Sequence, residues 1–198
     1  MLSYIMKNFD IIEGQNRILL SAPHTHIHRR PNLLKKYKQG EKYTDDIVKG
    51  VCKKSGSFGI YITDKVEYDP NYHPVSGNRY KKEIENIVRS NKIEKFFDIH
   101  GLNSIYDIDV VIYYKTRFRR STKLAEDLAR YIDREDLSGI NIQILRLLDN
   151  HQESLTEFVA SQLRVPAIQI EVARYIREDN ELRESFIKNI SEYLSLKN

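Results

Sequence analysis

Two histidines stand at the ends of short apolar segments and have the residue type and placement of metal ligands. His24 follows the run Ile18–Pro23, and His100 closes the run Phe96–Ile99. Zinc takes neutral imidazole and carboxylate ligands, and the end of a strand holds such a side chain rigidly. We therefore interpret His24 and His100 as metal ligands. The alternatives are a solvated His-rich loop for His24 and a buried structural role for His100.

The residues around these histidines refine that interpretation. Alternation along a strand puts Asp98 on the same face as His100, so its carboxylate can orient the imidazole. Gly101 permits a sharp turn and the close approach of a ligand. His26 and His28 lie in the loop after His24, and we interpret both as solvated.

Asp45 and Asp46 are the candidates for a third ligand. They open a predicted helix after Thr44, where carboxylates commonly cap the helix and offset its dipole. A catalytic zinc site needs three protein ligands, however, and two histidines supply only two. We therefore expect Asp45 or Asp46 to complete a site for one Zn²⁺ ion, or for another divalent metal.

Glu171 interrupts an otherwise apolar run, Ala167–Val172. Burying a bare carboxylate is costly, so the side chain must be paired, metal-linked or catalytic. A glutamate beside an activated water is the usual general base of amide hydrolysis, and a buried ion pair with Arg174 is the alternative. Asn78 and Arg79 end a turn-rich loop and could grip a substrate carboxylate, although a loop arginine is often only solvated.

Alternating apolar and amphipathic segments predict the elements that position these residues. Strands and helices that follow one another along the chain indicate an α/β fold. We predict a single three-layer α/β/α domain over residues 1–198, with a mixed, mostly parallel central sheet and the site at the carboxyl ends of its strands. The predicted strands are 18–20, 58–62, 96–100, 109–114, 142–147 and 167–172, and the predicted helices are 45–54, 80–90, 121–133, 154–163 and 180–194.

Composition restricts the possible partners and the compartment. The net charge is +4, and the basic cluster 117–120 could contact phosphate, but acidic residues are interleaved almost everywhere. We read this as a solvated surface and do not favour nucleic-acid binding. The lone Cys52 excludes an internal disulfide. The chain lacks a signal peptide and an apolar run of roughly 18 residues, so we expect a cytoplasmic protein without membrane contact.

Five short motifs follow one another along the chain. They are Ser21–Ala22–Pro23–His24, Thr44–Asp45–Asp46–Ile47–Val48, Asn78–Arg79, Asp98–Ile99–His100–Gly101 and Gln169–Ile170–Glu171–Val172–Ala173–Arg174. In this order the motifs resemble those of the N-formylglutamate amidohydrolase family. The resemblance covers about residues 17–178 and implies a fold similar to that of the zinc carboxypeptidases.

The resemblance also implies roles for single residues. It implies that His24, Asp45 and His100 bind zinc, with Asp45 preferred to Asp46 because Val48 fits the Asp-x-x-Val pattern of the family. It implies that Glu171 is the base. In the same way Asn78 and Arg79 would hold a substrate carboxylate, and Arg174 would polarise a carbonyl or bind an anion.

The sequence therefore predicts a zinc-dependent amidohydrolase. Its substrate would be a small N-acyl amino acid or peptide that bears a carboxylate. One alternative is a cell-wall peptide amidase or carboxypeptidase. The other is a non-catalytic protein of the same fold that binds an anion or nucleic acid through its basic surface.

Overall fold

A computed structural model describes residues 7–30, 36–115, 119–146 and 152–196 of the chain. Strands and helices alternate through most of this length. The strands are β1 Phe9–Ile12, β2 Ile18–Ala22, β3 His28–Arg29, β4 Tyr37–Lys38, β5 Phe58–Ile62, β6 Lys95–Gly101, β7 Val110–Tyr114, β8 Ile142–Arg146 and β9 Ala167–Val172. The helices are α1 Thr44–Ser55, α2 Arg79–Ser90, α3 Arg119–Ile132, α4 Leu155–Ser161, α5 Arg174–Glu178 and α6 Asn180–Ser195.

Seven strands form one sheet in the order β1-β5-β2-β6-β9-β7-β8. The pairs β2–β5, β2–β6, β6–β9 and β7–β8 are parallel, whereas β1–β5 and β7–β9 are antiparallel. The predicted α/β fold with a mixed, mostly parallel sheet is confirmed. Strands β3 and β4 form a separate antiparallel pair in which His28 is the partner of Lys38.

Helices pack on both faces of the sheet because its central strands are apolar on both sides. In β6, Phe97 and Ile99 pack with α1, α3 and α6, whereas Phe96 packs with α2 and α4. The apolar side chains on both faces of these strands are buried, as expected where helices cover a parallel sheet on two sides. Asp98 and His100 alternate with Phe97 and Ile99 and therefore project toward the side of α2 and α4.

The predicted helices and longer strands all appear, with ends shifted by up to two residues. The elements that were not predicted are β1, the β3–β4 pair and α5, which are too short for a periodic pattern to develop. Leu147 of the predicted strand 142–147 lies outside the described residues, as do positions 117 and 118 of the basic cluster. Within the described ranges, no helix has the length and apolar character needed to cross a bilayer.

Candidate metal site

His24 and His100 meet at one edge of the sheet because β2 and β6 are neighbouring parallel strands. The side chains are 1% and 2% exposed, and both face Glu41. His24 Nδ1 lies 3.3 Å from Glu41 Oε1, and His100 Nδ1 lies 3.4 Å from Glu41 Oε2. Two ligands at about 2.0–2.1 Å from a tetrahedral zinc stand about 3.4 Å apart. The two histidines and Glu41 therefore fit a metal ion between them.

A buried carboxylate holds the far nitrogen of each imidazole. His24 Nε2 is 2.8 Å from Asp69 Oδ1, and His100 Nε2 is 3.0 Å from Asp98 Oδ2. This leaves both Nδ1 atoms directed at Glu41, and His24 Nδ1 is buried without a hydrogen-bond partner. Metal-binding histidines usually donate their second N–H to a carboxylate, which fixes the tautomer and the ring orientation. The rings are thus arranged for binding through Nδ1.

Glu41 is held in place by backbone contacts rather than by a helix or strand. Its N–H donates to the His24 carbonyl at 2.8 Å, and the Gly101 N–H donates to its Oε2 at 3.0 Å. A Cβ on Gly40 would lie 2.2 Å from the Thr25 carbonyl oxygen, so the preceding position must lack a side chain for the loop to pack there.

The charges of the three groups depend on one another. Burial opposes ionisation of Glu41, but His24 and His100 outweigh it and hold the pKa of Glu41 well below its usual range. Burial also disfavours a charged imidazole, yet Asp98 and Glu41 raise the pKa of His100 well above its ordinary value. Glu41 and Asp69 raise the pKa of His24 in the same way. The cluster favours a positive charge between its carboxylates, which a bound cation supplies.

A second possible metal group shares His24 and consists of His24, His28 and Asp69. The His28 ring stacks on the His24 ring with centroids 4.0 Å apart, and its buried Nε2 lacks a hydrogen bond. Asp69, however, already accepts hydrogen bonds from His24, two backbone N–H groups and Arg30. The Arg30 guanidinium also opposes a cation there. We therefore assign Asp69 the role of orienting His24.

Glu171 lies beside this site because β9 pairs with β6 and its register sets Glu171 opposite His100. Gln169 Nε2 donates to Glu171 Oε1 at 2.7 Å. Burial raises the pKa of Glu171; His100 opposes that shift and the charge of Glu41 adds to it. A carboxylate with a raised pKa next to a metal site is suited to accept and return a proton.

Asp45 and Asp46 lie in the first turn of α1 and line the same cavity as Glu41, but neither belongs to a group of possible metal ligands among the described residues. Asp45 Oδ2 accepts a hydrogen bond from Lys49 at 2.7 Å, and Asp46 lies 3.9 Å from the same ammonium. Glu41 precedes the helix and occupies the place at which the sequence analysis expected Asp45. The physical reason is that the first turn of α1 directs these carboxylates along the helix surface toward Lys49.

The predicted substrate-binding residues make no direct contact with the histidines in the described part of the chain, although Arg174 lines the same cavity as Glu41. Asn78 caps α2 by accepting from the Lys81 N–H, and its amide donates to the Pro70 carbonyl. Arg79 is exposed, and Arg174 Nε donates to Glu178 at 2.7 Å. In the described part of the chain, neither arginine makes a hydrogen bond or ion pair with the two histidines or Glu41.

The sequence analysis missed Glu41 and Asp69. Asp69 stands in Asp69–Pro70–Asn71, which has the composition of an ordinary turn, and nothing local marks it as the partner of His24. The pair Gly40–Glu41 was the available signal, since a glycine beside an acid ahead of a helix indicates a close backbone approach.

Comparison with known proteins adds evidence on the fold. No sequence-family model and no curated protein sequence matches the chain. The structure is similar to a succinylglutamate desuccinylase from Vibrio parahaemolyticus, with 12% identity and a TM-score of 0.60 over 93% of this chain and 68% of that chain. It is also similar to a metallo-carboxypeptidase from Burkholderia cenocepacia, with 9% identity and a TM-score of 0.58 over 94% of this chain and 64% of that chain.

A third similar structure is the catalytic domain of an N-acetylmuramoyl-L-alanine amidase from Bacillus (Paenibacillus) polymyxa. The identity is 14% and the TM-score 0.58, over 91% of this chain and 97% of that domain. These likenesses establish the fold. It is the carboxypeptidase-like fold that the motif resemblance implied.

Proposed function

We propose that this protein is a zinc-dependent hydrolase that cleaves an amide bond. The observation that carries the proposal is the convergence of His24 Nδ1, His100 Nδ1 and the Glu41 carboxylate. A buried carboxylate orients each histidine, as in known metal sites. Glu171 adds a proton acceptor on the neighbouring strand. Two histidines and one carboxylate with a glutamate base are a donor set suited to amide hydrolysis.

Each residue has a distinct part in this proposal. The chemistry that a divalent ion supplies at such a position is Lewis-acid activation of water and of a carbonyl. Gln169 holds Glu171 through Oε1, and within the described residues Oε2 makes no hydrogen bond. Glu171 therefore offers Oε2 to the proton of the attacking water and returns that proton to the leaving amine. Asp69 and Asp98 keep the imidazoles in the orientation that binding requires.

The substrate we propose is a small N-acyl amino acid, consistent with the resemblance to the N-formylglutamate amidohydrolase family. A cell-wall peptide amidase is the second candidate. It is favoured by the nearly complete mutual coverage with the amidase domain. The turnover assay described next includes substrates of both classes.

The test is Glu171→Gln, which retains the shape of the side chain and removes the proton acceptor. We expect metal content and melting temperature to stay unchanged while kcat falls by roughly 10²- to 10⁴-fold. Turnover is measured on N-formyl and N-acetyl amino acids and on muramoyl peptides. Glu178→Gln is the matched control, because among the described residues the Glu178 carboxylate pairs with Arg174 and with neither histidine of the cluster.

Three results would contradict the proposal. Undiminished turnover in Glu171→Gln would remove Glu171 as the base. Loss of metal together with activity would make Glu171 a ligand instead. Wild-type protein that binds no divalent metal and hydrolyses none of these amides would refute the function as a whole.

A further inference from the structure

A buried arginine joins the loop of Glu41 to the carboxyl end of β9. Arg177 lies in α5 and is 5% exposed. Its Nε donates to the Val172 carbonyl at 3.0 Å, and its Nη1 donates to the Lys42 carbonyl. Val172 ends β9, and Lys42 directly follows Glu41. One guanidinium therefore bridges two backbone segments that are distant in the sequence.

The same guanidinium packs beside the Glu41 side chain over Gly101. A Cβ built on Gly101 would lie 2.8 Å from the Arg177 guanidinium carbon and 3.0 Å from the Glu41 Cβ. Among the described residues, Arg177 nevertheless makes no ion pair with the Glu41 carboxylate. The carboxylate oxygens face the two histidines and the Gly101 N–H instead. Arg177 thus contacts the loop through its backbone and leaves both oxygens to the candidate metal site.

The Glu41 loop, residues 39–43, has a backbone conformation that depends on outside contacts. Tyr43 has a φ of 67°, a left-handed conformation that is uncommon for a residue with a side chain. Arg183 of α6 places its guanidinium carbon 4.8 Å from the centre of the Tyr43 ring and donates to the Arg177 carbonyl at 2.6 Å. The helices α5 and α6 therefore contact the loop at the two residues that follow Glu41.

We propose that Arg177 is a positioning residue that holds Glu41 in the candidate metal site. Its bridge to the Lys42 and Val172 carbonyls fixes the backbone directly after Glu41. Because Val172 follows Glu171, the same bridge sets the distance between the Glu41 loop and the proposed base. This inference rests on the metal site of the proposed function. It assigns a role to a side chain that makes no hydrogen bond with either histidine of the site among the described residues.

The charge of Arg177 and its bridge have opposite effects on a bound cation. A guanidinium near the site repels a divalent ion, so removing its charge alone should strengthen zinc binding. Removing a bridge that positions Glu41 should weaken zinc binding, because a displaced carboxylate no longer completes the ligand set. A purely structural role would lower stability without any dependence on Glu41. The three roles therefore differ in the sign of the change or in its dependence on Glu41.

The test measures zinc affinity by competition with a chromophoric chelator in Arg177→Met and Arg177→Lys. We expect both variants to weaken zinc binding about 10- to 100-fold, the range for a group that orients a metal ligand. Lysine should not rescue the site, because an ammonium lacks the planar fork that donates in two directions. In the Glu41→Gln background, Arg177→Met should not weaken binding further, since the carboxylate that the bridge positions is absent.

Asn189→Ala is the matched control for a general loss of stability. The buried Asn189 amide also donates to two backbone carbonyls, those of Ile132 and Arg134, at 3.2 and 3.1 Å. Neither carbonyl belongs to the Glu41 loop. Asn189→Ala should therefore lower the Tm of the zinc-free protein and leave the zinc affinity within about twofold of the wild type.

Crystal structures of the zinc-free wild type and of Arg177→Met test the bridge independently of metal binding. We expect the Glu41 carboxylate to leave its place beside the two histidines in the variant. A carboxylate that stays 3.3 and 3.4 Å from the two Nδ1 atoms would overturn the inference. If Arg177→Met does not fold, Arg177→Lys is judged by the same criterion.

The remaining outcomes separate this inference from the proposed function. Unchanged or tighter zinc binding in both Arg177 variants would overturn the positioning role, even if the wild type hydrolyses amides. A further loss of affinity in the Glu41→Gln background would overturn it as well. Wild-type protein that binds no zinc would refute the proposed function, and the two zinc-free structures would then decide whether Arg177 positions Glu41.

Discussion

Replacing Glu41 with glutamine tests which acid completes the candidate metal site. Glu41→Gln keeps the side-chain shape and the hydrogen bond from the Gly101 N–H, but removes the negative charge between the two histidines. Asp45→Asn is the matched control, because it makes the same chemical change in the residue that the motif resemblance favours. Among the described residues the Asp45 carboxylate pairs with Lys49, and an ion pair of this kind is worth about 0.3–0.5 kcal/mol before allowance for solvent screening.

The magnitude follows from linkage between metal binding and folding. At a free zinc concentration 100 times Kd, zinc stabilises the folded protein by about 2.7 kcal/mol. Loss of a carboxylate that only orients a ligand weakens binding by up to about 100-fold, so loss of a ligand should cost at least as much. At the same zinc concentration the stabilisation then falls to about 0.4 kcal/mol. A change of about 1 kcal/mol in unfolding free energy moves Tm by about 2–4 °C in a protein of this size. The shift in Tm on adding zinc therefore falls from about 5–11 °C to about 1–2 °C.

The assay is differential scanning fluorimetry with zinc and with a chelator, together with metal analysis of the purified proteins. We expect Asp45→Asn to retain the full zinc-dependent shift and the metal stoichiometry. Glu41→Gln should lose its bound metal on purification and keep only about 1–2 °C of the zinc-dependent shift. The reverse pattern would refute the assignment of Glu41 and return the third ligand to Asp45.

Three further predictions concern the surroundings of the site. Asp98→Asn should weaken zinc binding about 10- to 100-fold, because the carboxylate no longer orients the His100 imidazole. The affinity is measured by competition with a chromophoric chelator, and an unchanged affinity would contradict the prediction. Gly101→Ala should lower the free energy of unfolding in urea by about 1–3 kcal/mol, because the added Cβ would lie 2.8 Å from the Arg177 guanidinium. Gly77→Ala is the control and should leave the stability unchanged, because its Cβ would meet no atom within 4 Å. Burial lowers the pKa of Lys81 to about 8. Between about pH 8 and 10.4 the unfolded chain therefore keeps a proton on Lys81 that the folded protein has lost. The free energy of unfolding rises with pH across this window by at most about 3 kcal/mol, and Lys81→Met should flatten the rise. Parallel plots of unfolding free energy against pH for the two proteins would refute this prediction.

Local patterns were sufficient for most of the fold. Continuous apolar runs bounded by turn residues specify β2, β6 and β9, and helical spacing of apolar residues specifies α1, α2 and α6. Once strands and helices alternate, a mostly parallel sheet with helices on both faces follows, because each element must bury its apolar side. The β1 and β3–β4 segments are defined by pairing with distant residues, so no local pattern indicates them.

Local reasoning also indicated part of the candidate site. His24, His100 and Glu171 stand at or near the carboxyl ends of adjacent strands, and parallel pairing brings those ends together. Asp98 was expected beside His100 because alternation along one strand determines which side chains share a face. The relative positions of these four side chains follow once the strands are correctly identified.

Tertiary structure alone decided the remaining partners. Glu41 reaches the histidines because Gly40 lets a loop pack against Thr25, a contact across more than ten residues that no periodicity encodes. Asp69 approaches His24 from a separate loop, and His28 stacks on His24 from a two-residue strand. A loop has no repeating geometry, so the spacing of its residues in the sequence does not determine the direction in which each side chain points. Which carboxylate or cation it delivers to the site is therefore set by packing against distant parts of the chain.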